Sequence, residues 1–297
     1  MKFSRFIFPI ALSFAFVPFA GAMIASVNGE VTHNTTATDY VSEIWNRTVQ
    51  LDKGSSPGTG TYLGQSTDGT HWVMTAAHVT VGDGTIRTST GETISLKAVP
   101  ERKVAFYNAD GTKADLKLFA VSANTASEDY LNALGNIKIY GGDFDHNPPL
   151  YCVGTGCNLS IGLGLSSGNR VKQWGKFYVD FDEGTTEASG YKSDVLTEIF
   201  SKSEDSIQCG MYDSGSGVFV KNDGAWEVVG VAITVGANSA DASTVGYYET
   251  PNAICATNFV DLSVYASQIY AVIPEPSLFG LMAGIFALGL AGARRRR

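Results

Sequence analysis

Short apolar runs rich in β-branched and aromatic residues recur along the chain, separated by clusters of Gly, Asn and Asp. Runs of this length, bounded by turn residues, predict β-strands. The clearest of them occupy residues 70–75, 104–107, 137–140, 176–181 and 226–233. Many of the 33 glycines lie in turn contexts such as Asp83-Gly84 and Asp223-Gly224, which are typical of tight connections between strands.

Helical patterns are scarce in the same region. The clearest lies at residues 259–273, where Val260, Val264, Ile269 and Val272 recur at roughly helical spacing. Many short strands followed by one late helix indicate an all-β barrel or sandwich.

The first residues of the chain depart from the strand pattern. A basic start and an apolar run at 6–19 precede the small residues Ala20-Gly-Ala22, which predicts a secretory signal peptide over residues 1–22. The run is too short for a comfortable membrane span. We expect cleavage after Ala22, with Ala25 as the second choice.

The last residues read Pro274-Glu-Pro276, an uncharged segment at 277–293 and four arginines at 294–297. Such a segment is long enough for a spanning helix whose arginines stay on the cytoplasmic side. The three-part order resembles the PEP-CTERM sorting tail of Gram-negative bacteria; a plain C-terminal anchor is the alternative. The resemblance implies a stage in the inner membrane, cleavage near the motif by an exosortase, and release to the periplasm or cell surface.

Residues 23–273 remain for the folded part, which allows one large all-β domain or two small ones. They carry 15 Lys and Arg against 28 Asp and Glu. A nucleic-acid partner is therefore not expected, because no basic patch is available to neutralise phosphates. An acidic surface suits an exported protein that must stay in solution.

All four cysteines lie in the second half of the chain: Cys152, Cys157, Cys209 and Cys255. An even number in an exported chain favours disulfides, and four cysteines allow three pairings. We favour Cys152 with Cys157 and Cys209 with Cys255. A zinc site is the competing interpretation, although no histidines cluster near the cysteines.

Three segments carry candidate chemistry. Thr75-Ala-Ala-His78 ends a predicted buried strand, and its alanines let the imidazole edge approach a neighbouring strand. Asp115 begins the alternating apolar segment Asp115-Leu-Lys-Leu-Phe119. Ser214 lies in Met211-Tyr-Asp-Ser-Gly-Ser-Gly217, where glycine lets backbone N–H groups approach an oxyanion. A serine hydroxyl becomes a good nucleophile only beside a base that takes its proton.

The order of these residues separates possible hydrolase layouts. Gly164-Leu-Ser-Ser-Gly168 fits a nucleophile elbow, but that layout requires a histidine after the serine and the last histidine is His146. The order His78, Asp115, Ser214 is the one that this chain fits.

Together the three segments resemble the triad motifs of chymotrypsin- and trypsin-like serine proteases, over most of residues 27–273. The resemblance implies two antiparallel β-barrels, at about 27–140 and 141–258, with a terminal helix at 259–273. The site would lie in the cleft between the barrels. The substrate would be a polypeptide, and neither a cofactor nor a metal is expected.

The resemblance also implies a role for each residue. His78 is the expected general base, Asp115 holds it, and Ser214 is the nucleophile. The backbone N–H groups of Tyr212 and Ser214 would form the oxyanion hole. Tyr212 stands where the family has glycine, and tyrosine resists the backbone conformations that glycine permits.

Two further departures concern specificity and activation. The spacing from Cys209 to the nucleophile is one residue longer than usual, so the floor of the specificity pocket falls on Ile207 or Gln208. Neither is acidic, so we do not predict cleavage after Lys or Arg; Asp205 keeps that option open weakly.

The usual activation cleavage motif is missing. In the family, a freed amino terminus often pairs with the aspartate before the nucleophile, here Asp213. Cleavage after Ala25 would create such a terminus at Ser26, but a fold that needs no activation is the preferred expectation. The chain is therefore expected to be an exported serine endopeptidase. The alternative is a weak or inactive homologue that binds polypeptide or matrix polysaccharide at the cell surface.

Overall fold

The computed structural model describes residues 23–27, 30–32, 34–53, 55–156, 170–201, 204–237 and 255–275. The predicted signal peptide, Cys157 and nearly all of the predicted sorting tail lie outside these residues. Within them, no helix is long and apolar enough to cross a membrane.

Strands dominate the described chain. In the first half they are β1 (Ile24–Val27), β2 (Glu30–Thr32), β3 (Thr48–Leu51), β4 (Gly58–Gln65), β5 (His71–Thr75), β6 (Gly84–Arg87), β7 (Thr93–Tyr107) and β8 (Lys113–Ser122). In the second half they are β9 (Lys138–Ile139), β10 (Leu150–Gly154), β11 (Gln173–Phe177), β12 (Thr185–Ala188), β13 (Tyr191–Ile199), β14 (Ser206–Gln208), β15 (Gly217–Asn222), β16 (Ala225–Ala237) and β17 (Cys255–Asp261). The helices are α1 (Ser42–Arg47), α2 (Thr125–Leu134), a 3₁₀ turn (Leu262–Tyr265) and α3 (Ala266–Tyr270).

The first unit is a closed antiparallel barrel with strand order β3-β4-β5-β8-β7-β6. All five residues of β5 are buried, as expected from its nearly continuous apolar sequence. The interior of the barrel is filled by large apolar side chains, including Val49, Leu51, Tyr62, Val73, Phe106 and Leu118. This packing fixes the ends of β5 and β8, from which two of the candidate residues emerge.

The second unit is an antiparallel sheet with strand order β11-β10-β15-β16-β17-β13-β12, to which β9 adds a short parallel pair on β16. β15 and β16 form a hairpin, and β17 pairs antiparallel with the other edge of β16. A second core lies against it, in which Phe177 and Phe259 stack with ring centroids 5.1 Å apart. The β15 strand begins immediately after the candidate nucleophile segment.

The amino-terminal strand belongs to the second unit. β1 pairs antiparallel with β14, with Ala25 opposite Ile207, and β2 adds a third strand. Met23, just before β1, is only 1 % exposed. The first described residues are thus held beside the strand that leads to Ser214.

The predicted all-β class with two strand units is confirmed. Four of the five predicted strand runs coincide with or fall within β5, β7, β9 and β16, allowing for ends that differ by a residue or two. The fifth, at 176–181, is shifted, because β11 ends at Phe177.

The predicted helix at 259–273 is wrong at its start. Phe259 to Asp261 belong to β17, which bonds to β16 and β13 on its two sides, and the chain turns helical only from Leu262. Pairing on both edges of this strand satisfies its backbone groups within the sheet.

Candidate active site

His78 and Asp115 are brought together by the ends of two paired strands. β5 ends at Thr75, and the following turn carries His78 back over the end of the barrel. Asp115 is the third residue of β8, the neighbour of β5. The His78 Nδ1 atom lies 2.7 Å from Asp115 Oδ2, and the His78 backbone N–H donates to Asp115 Oδ1 over 3.0 Å.

This contact defines the chemistry of the imidazole. Asp115 is 3 % exposed and His78 is 22 % exposed, so the carboxylate is buried behind a ring that solvent can reach. A carboxylate only accepts hydrogen bonds, so Nδ1 carries the proton and Nε2 keeps its lone pair. His78 is therefore oriented as a base with Nε2 directed away from Asp115.

Ser214 lies on a tight turn between the two units. Its carbonyl accepts a 2.8 Å hydrogen bond from the Thr59 N–H of β4, and the next N–H, of Gly215, donates to Ala232 over 2.7 Å. Gly215 has φ of +91°, and a Cβ there would lie 1.9 Å from the Thr59 carbonyl oxygen. Only glycine permits this approach, which seats the Ser214 turn on the first unit.

Ser214 and the His78 turn meet at Gly58. A Cβ on Gly58 would lie 2.7 Å from Val79 Cγ2 and 2.8 Å from the Ser214 carbonyl oxygen. The described hydrogen bonds include none between the Ser214 hydroxyl and His78. Such contacts between nucleophile and base are often long in structures without substrate.

Tyr212 takes the backbone conformation that glycine favours, with φ of +71°. Its carbonyl accepts a 2.8 Å hydrogen bond from Thr59 Oγ1, which fixes the following peptide. In the described part of the chain, the N–H groups of Tyr212 and Ser214 donate to no other protein group. Both donors are thus available to a negatively charged oxygen.

Arg170 stacks on the Tyr212 ring and is hydrogen-bonded to both units. Its guanidinium carbon lies 5.3 Å from the centre of the Tyr212 ring. The same guanidinium donates to the carbonyls of Leu51, Gly58 and Thr155 at 2.7, 2.5 and 2.8 Å. A stacked cation and a hydrogen-bonded carbonyl offset part of the backbone strain at Tyr212.

Asp213, between Tyr212 and Ser214 in the chain, is fully buried. Its carboxyl accepts from the N–H groups of Gly156 at 2.8 Å, Gly210 at 3.0 Å and Met23. Burial raises the pKa of Asp213 to about 7, although these hydrogen bonds and Arg170 act in the opposite direction. The amino-terminal contact falls on Met23, whereas Ser26 is paired with Ser206 in the sheet.

The predicted specificity residues lie deeper than expected. Ile207 is fully buried in the second core and Gln208 is 3 % exposed. A small cavity of about 30 Å³ adjoins Ser214, and its described lining comes instead from residues 209–210 and 232–235. Asp205 is paired with Lys176 at 2.7 Å, which neutralises the one acidic candidate.

Neither predicted disulfide pairing is formed by Cys152 or Cys209, the two cysteines whose side chains are described. Cys152 and Cys209 are both buried free thiols. Their side chains contact each other within the second core, and this hydrogen bond, together with burial, raises the pKa of the Cys209 thiol. Cys157 lies outside the described residues, and Cys255 contributes its backbone to β17. Among the described residues, no group of three or more His, Cys, Asp and Glu side chains is placed to hold a metal ion.

The sequence pattern did not reveal four residues that shape this site. They are Met23, Thr59, Lys117 and Arg170, and each acts through a contact with a segment distant in sequence. Only Lys117 gave a usable signal, because a charged side chain inside an otherwise apolar strand, two residues after Asp115, must face the same side as the carboxylate.

Comparisons with protein-family models and with curated proteins give no match. Among solved structures, the chain is similar to a Glu endopeptidase in complex with MPD, at 12 % identity and a TM-score of 0.47, covering 80 % of this chain and 95 % of that one. The MamO protease domain from Magnetospirillum magneticum gives 11 % identity, a TM-score of 0.42 and coverage of 77 % and 98 %. The Rv3671c protease in its inactive form gives 14 % identity, a TM-score of 0.43, and coverage of 79 % of this chain and 92 % of that one.

The strand topology carries the fold assignment. The chain forms a closed six-stranded barrel and a second antiparallel unit. His78 and Asp115 come from the first unit, and Ser214 comes from the second, where its carbonyl is hydrogen-bonded to the first. The chain therefore has an all-β fold made of a closed six-stranded barrel and a second antiparallel unit.

Proposed function

We propose that this protein is an exported serine endopeptidase that acts through His78, Asp115 and Ser214. The observation that supports it most is the contact of His78 Nδ1 with the buried Asp115 carboxylate, at the end of the barrel against which the Ser214 turn is seated. An oriented base, a serine on a glycine-bracketed turn and two available N–H donors are what acyl transfer requires.

In the proposed reaction, Ser214 Oγ attacks the peptide carbonyl while His78 Nε2 takes its proton. Asp115 keeps the proton on Nδ1 and stabilises the imidazolium that forms. The N–H groups of Tyr212 and Ser214 stabilise the tetrahedral oxyanion. His78 then gives the proton to the leaving amine, and water repeats the sequence to release the acid from the acyl-enzyme.

The described cavity beside Ser214 bears on substrate choice. It is small, its described lining carries no charged side chain, and Asp205 is already paired with Lys176. Because Asp205 is paired and neither Ile207 nor Gln208 is acidic, we do not expect a preference for cleavage after Lys or Arg.

A fluorophosphonate probe tests the proposal, because it reacts with an activated serine. We expect stoichiometric labelling of the folded protein and complete loss in Ser214→Ala. Ser216→Ala is the matched control, because Ser216 is fully buried in the same turn and its hydroxyl has no described partner. Folded wild-type protein that takes up no probe would refute the enzymatic proposal.

A binding protein with weak or no catalysis is the second candidate, and the non-glycine residue at φ of +71° favours it. It predicts a folded chain that binds peptide or matrix polysaccharide without probe uptake. Export by a signal peptidase and release by an exosortase remain part of the main proposal. They rest on residues 1–22 and 274–297, and mass determination of both termini after export tests them.

A further inference from the structure

Lys117 lies directly behind the His78 turn. It is two residues after Asp115 on β8, so both side chains leave the strand on the same face. Its Nζ atom donates to the Ala77 carbonyl at 3.0 Å and also to the Val79 carbonyl. These are the two carbonyls that flank His78 in the chain.

The His78 turn is therefore held from two sides by one strand. Asp115 accepts hydrogen bonds from the backbone N–H and from the Nδ1–H of His78. Lys117 donates to the carbonyls of the residues before and after His78. The turn is also held by hydrogen bonds from the Val79 N–H to the Ala76 carbonyl and from the Thr80 N–H to the Ser56 carbonyl, but the described hydrogen bonds to His78 itself come from this strand. A hydrogen bond from an ammonium group is roughly twice as strong as one between neutral groups.

We propose that Lys117 is a positioning residue of the general base, whose ammonium fixes the His78 turn so that Nε2 faces the Ser214 hydroxyl. The inference rests on the proposed peptidase function and deepens it. Lys117 does not touch the reacting atoms, so it acts on the orientation of His78 and not on substrate binding. Reaction rates depend steeply on such orientation, and a displacement of about 1 Å can cost about 100-fold.

The charge of Lys117 makes this support dependent on pH. Burial lowers the pKa of Lys117 to about 8; Asp115 on the same strand acts in the opposite direction, and Lys103 on β7 lowers it further. The imidazole of His78, on the residue between the two carbonyls that Lys117 binds, is a further titratable group beside it. Below about pH 8 the Lys117 amine is charged, and above it only the weaker hydrogen bonds of a neutral amine remain.

Three variants test the proposal: Lys117→Met, Lys117→Arg and the control Lys113→Met, which removes an exposed lysine from the same strand. We expect Lys117→Met to lower kcat by roughly 10- to 100-fold with KM nearly unchanged. Lys117→Arg restores most of the rate and moves the alkaline loss of activity above pH 9, because guanidinium stays charged. Lys113→Met behaves like the wild type.

A second readout does not require turnover. Deuterium exchange of the His78 backbone N–H and the downfield proton resonance of His78 Nδ1–H report the turn directly. We expect both to be lost or broadened in Lys117→Met and kept in Lys117→Arg. If the folded wild type takes up no probe, the peptidase proposal fails and this comparison still decides on Lys117. Unchanged exchange and an unchanged pH profile in Lys117→Met would overturn the positioning role.

Discussion

The amino group of Met23 is predicted to control how stability depends on pH. The Met23 N–H contacts the buried Asp213 carboxyl, which lies between Tyr212 and Ser214, the two candidate oxyanion donors. Signal-peptide cleavage after Ala22 would turn this peptide N–H into a charged amine. The perturbation is made with two chains, one starting at Met23 and one starting at Ala20, so that their total charge is equal.

The magnitude follows from the Asp213 carboxyl. Burial raises its pKa from 3.8 to about 7 when Met23 offers only a peptide N–H. This difference of roughly three units corresponds to about 4 kcal/mol. Between these two pH values the folded chain binds more protons than the unfolded one, so its stability falls as pH rises. A charged amine on Met23 would stabilise the carboxylate, lower that pKa and remove most of the loss.

Urea unfolding of both chains at intervals from pH 4 to pH 7 measures the effect. We expect the free energy of unfolding of the Met23 chain, relative to the Ala20 chain, to rise by up to about 4 kcal/mol over this range. The pKa of Glu198, which burial raises to about 8, affects both chains equally and cancels in the difference. Parallel curves for the two chains would refute the pairing of the Met23 amine with Asp213.

Two matched pairs of substitutions test the backbone of the candidate nucleophile turn. Gly215→Ala should destabilise the fold by about 2–5 kcal/mol, because strain at positive φ adds to the clash with Thr59, whereas the control Gly224→Ala, with φ of +83° and open space, should cost about 1–2 kcal/mol. Equal losses in thermal unfolding would contradict the clash. Tyr212→Gly should be more stable than Tyr212→Ala by about 1 kcal/mol, since both lose the contact with Arg170 and only glycine relieves the strain. Both should still react with the probe because the donor is a backbone N–H; equal stability of the pair would show that φ at this position carries no strain.

The sequence could predict the candidate residues that lie at or near the ends of strands. His78 follows an apolar run that is buried throughout, and Asp115 opens an alternating one, so their neighbours in sequence report their placement. The contact between them follows once β5 and β8 pair. The same local reasoning failed at Phe259, where four apolar residues at helical spacing were outweighed by pairing on both edges of β17.

The contacts that sequence could not predict join distant segments. Cys152 and Cys209 are 57 residues apart and face each other because β10 and the end of β14 border the same core, which no spacing rule reports. Arg170 gives no periodic signal, yet it binds Leu51 in the first unit and the ring of Tyr212 in the second. Such pairs depend on how the units dock and not on the local pattern.

Docking of the two units therefore decides the geometry of the candidate site. Asp115 is tied to the second unit by a 2.9 Å hydrogen bond from its N–H to Ser193 Oγ, while the Ser214 carbonyl is tied to the first unit through Thr59. Asp115 and Ser214 are thus each fixed partly by the unit to which they do not belong. Neither unit alone contains these supports, so the alignment of the candidate base and nucleophile is a property of the interface between the units, and substitutions there should lower the proposed activity while His78, Asp115 and Ser214 stay unchanged.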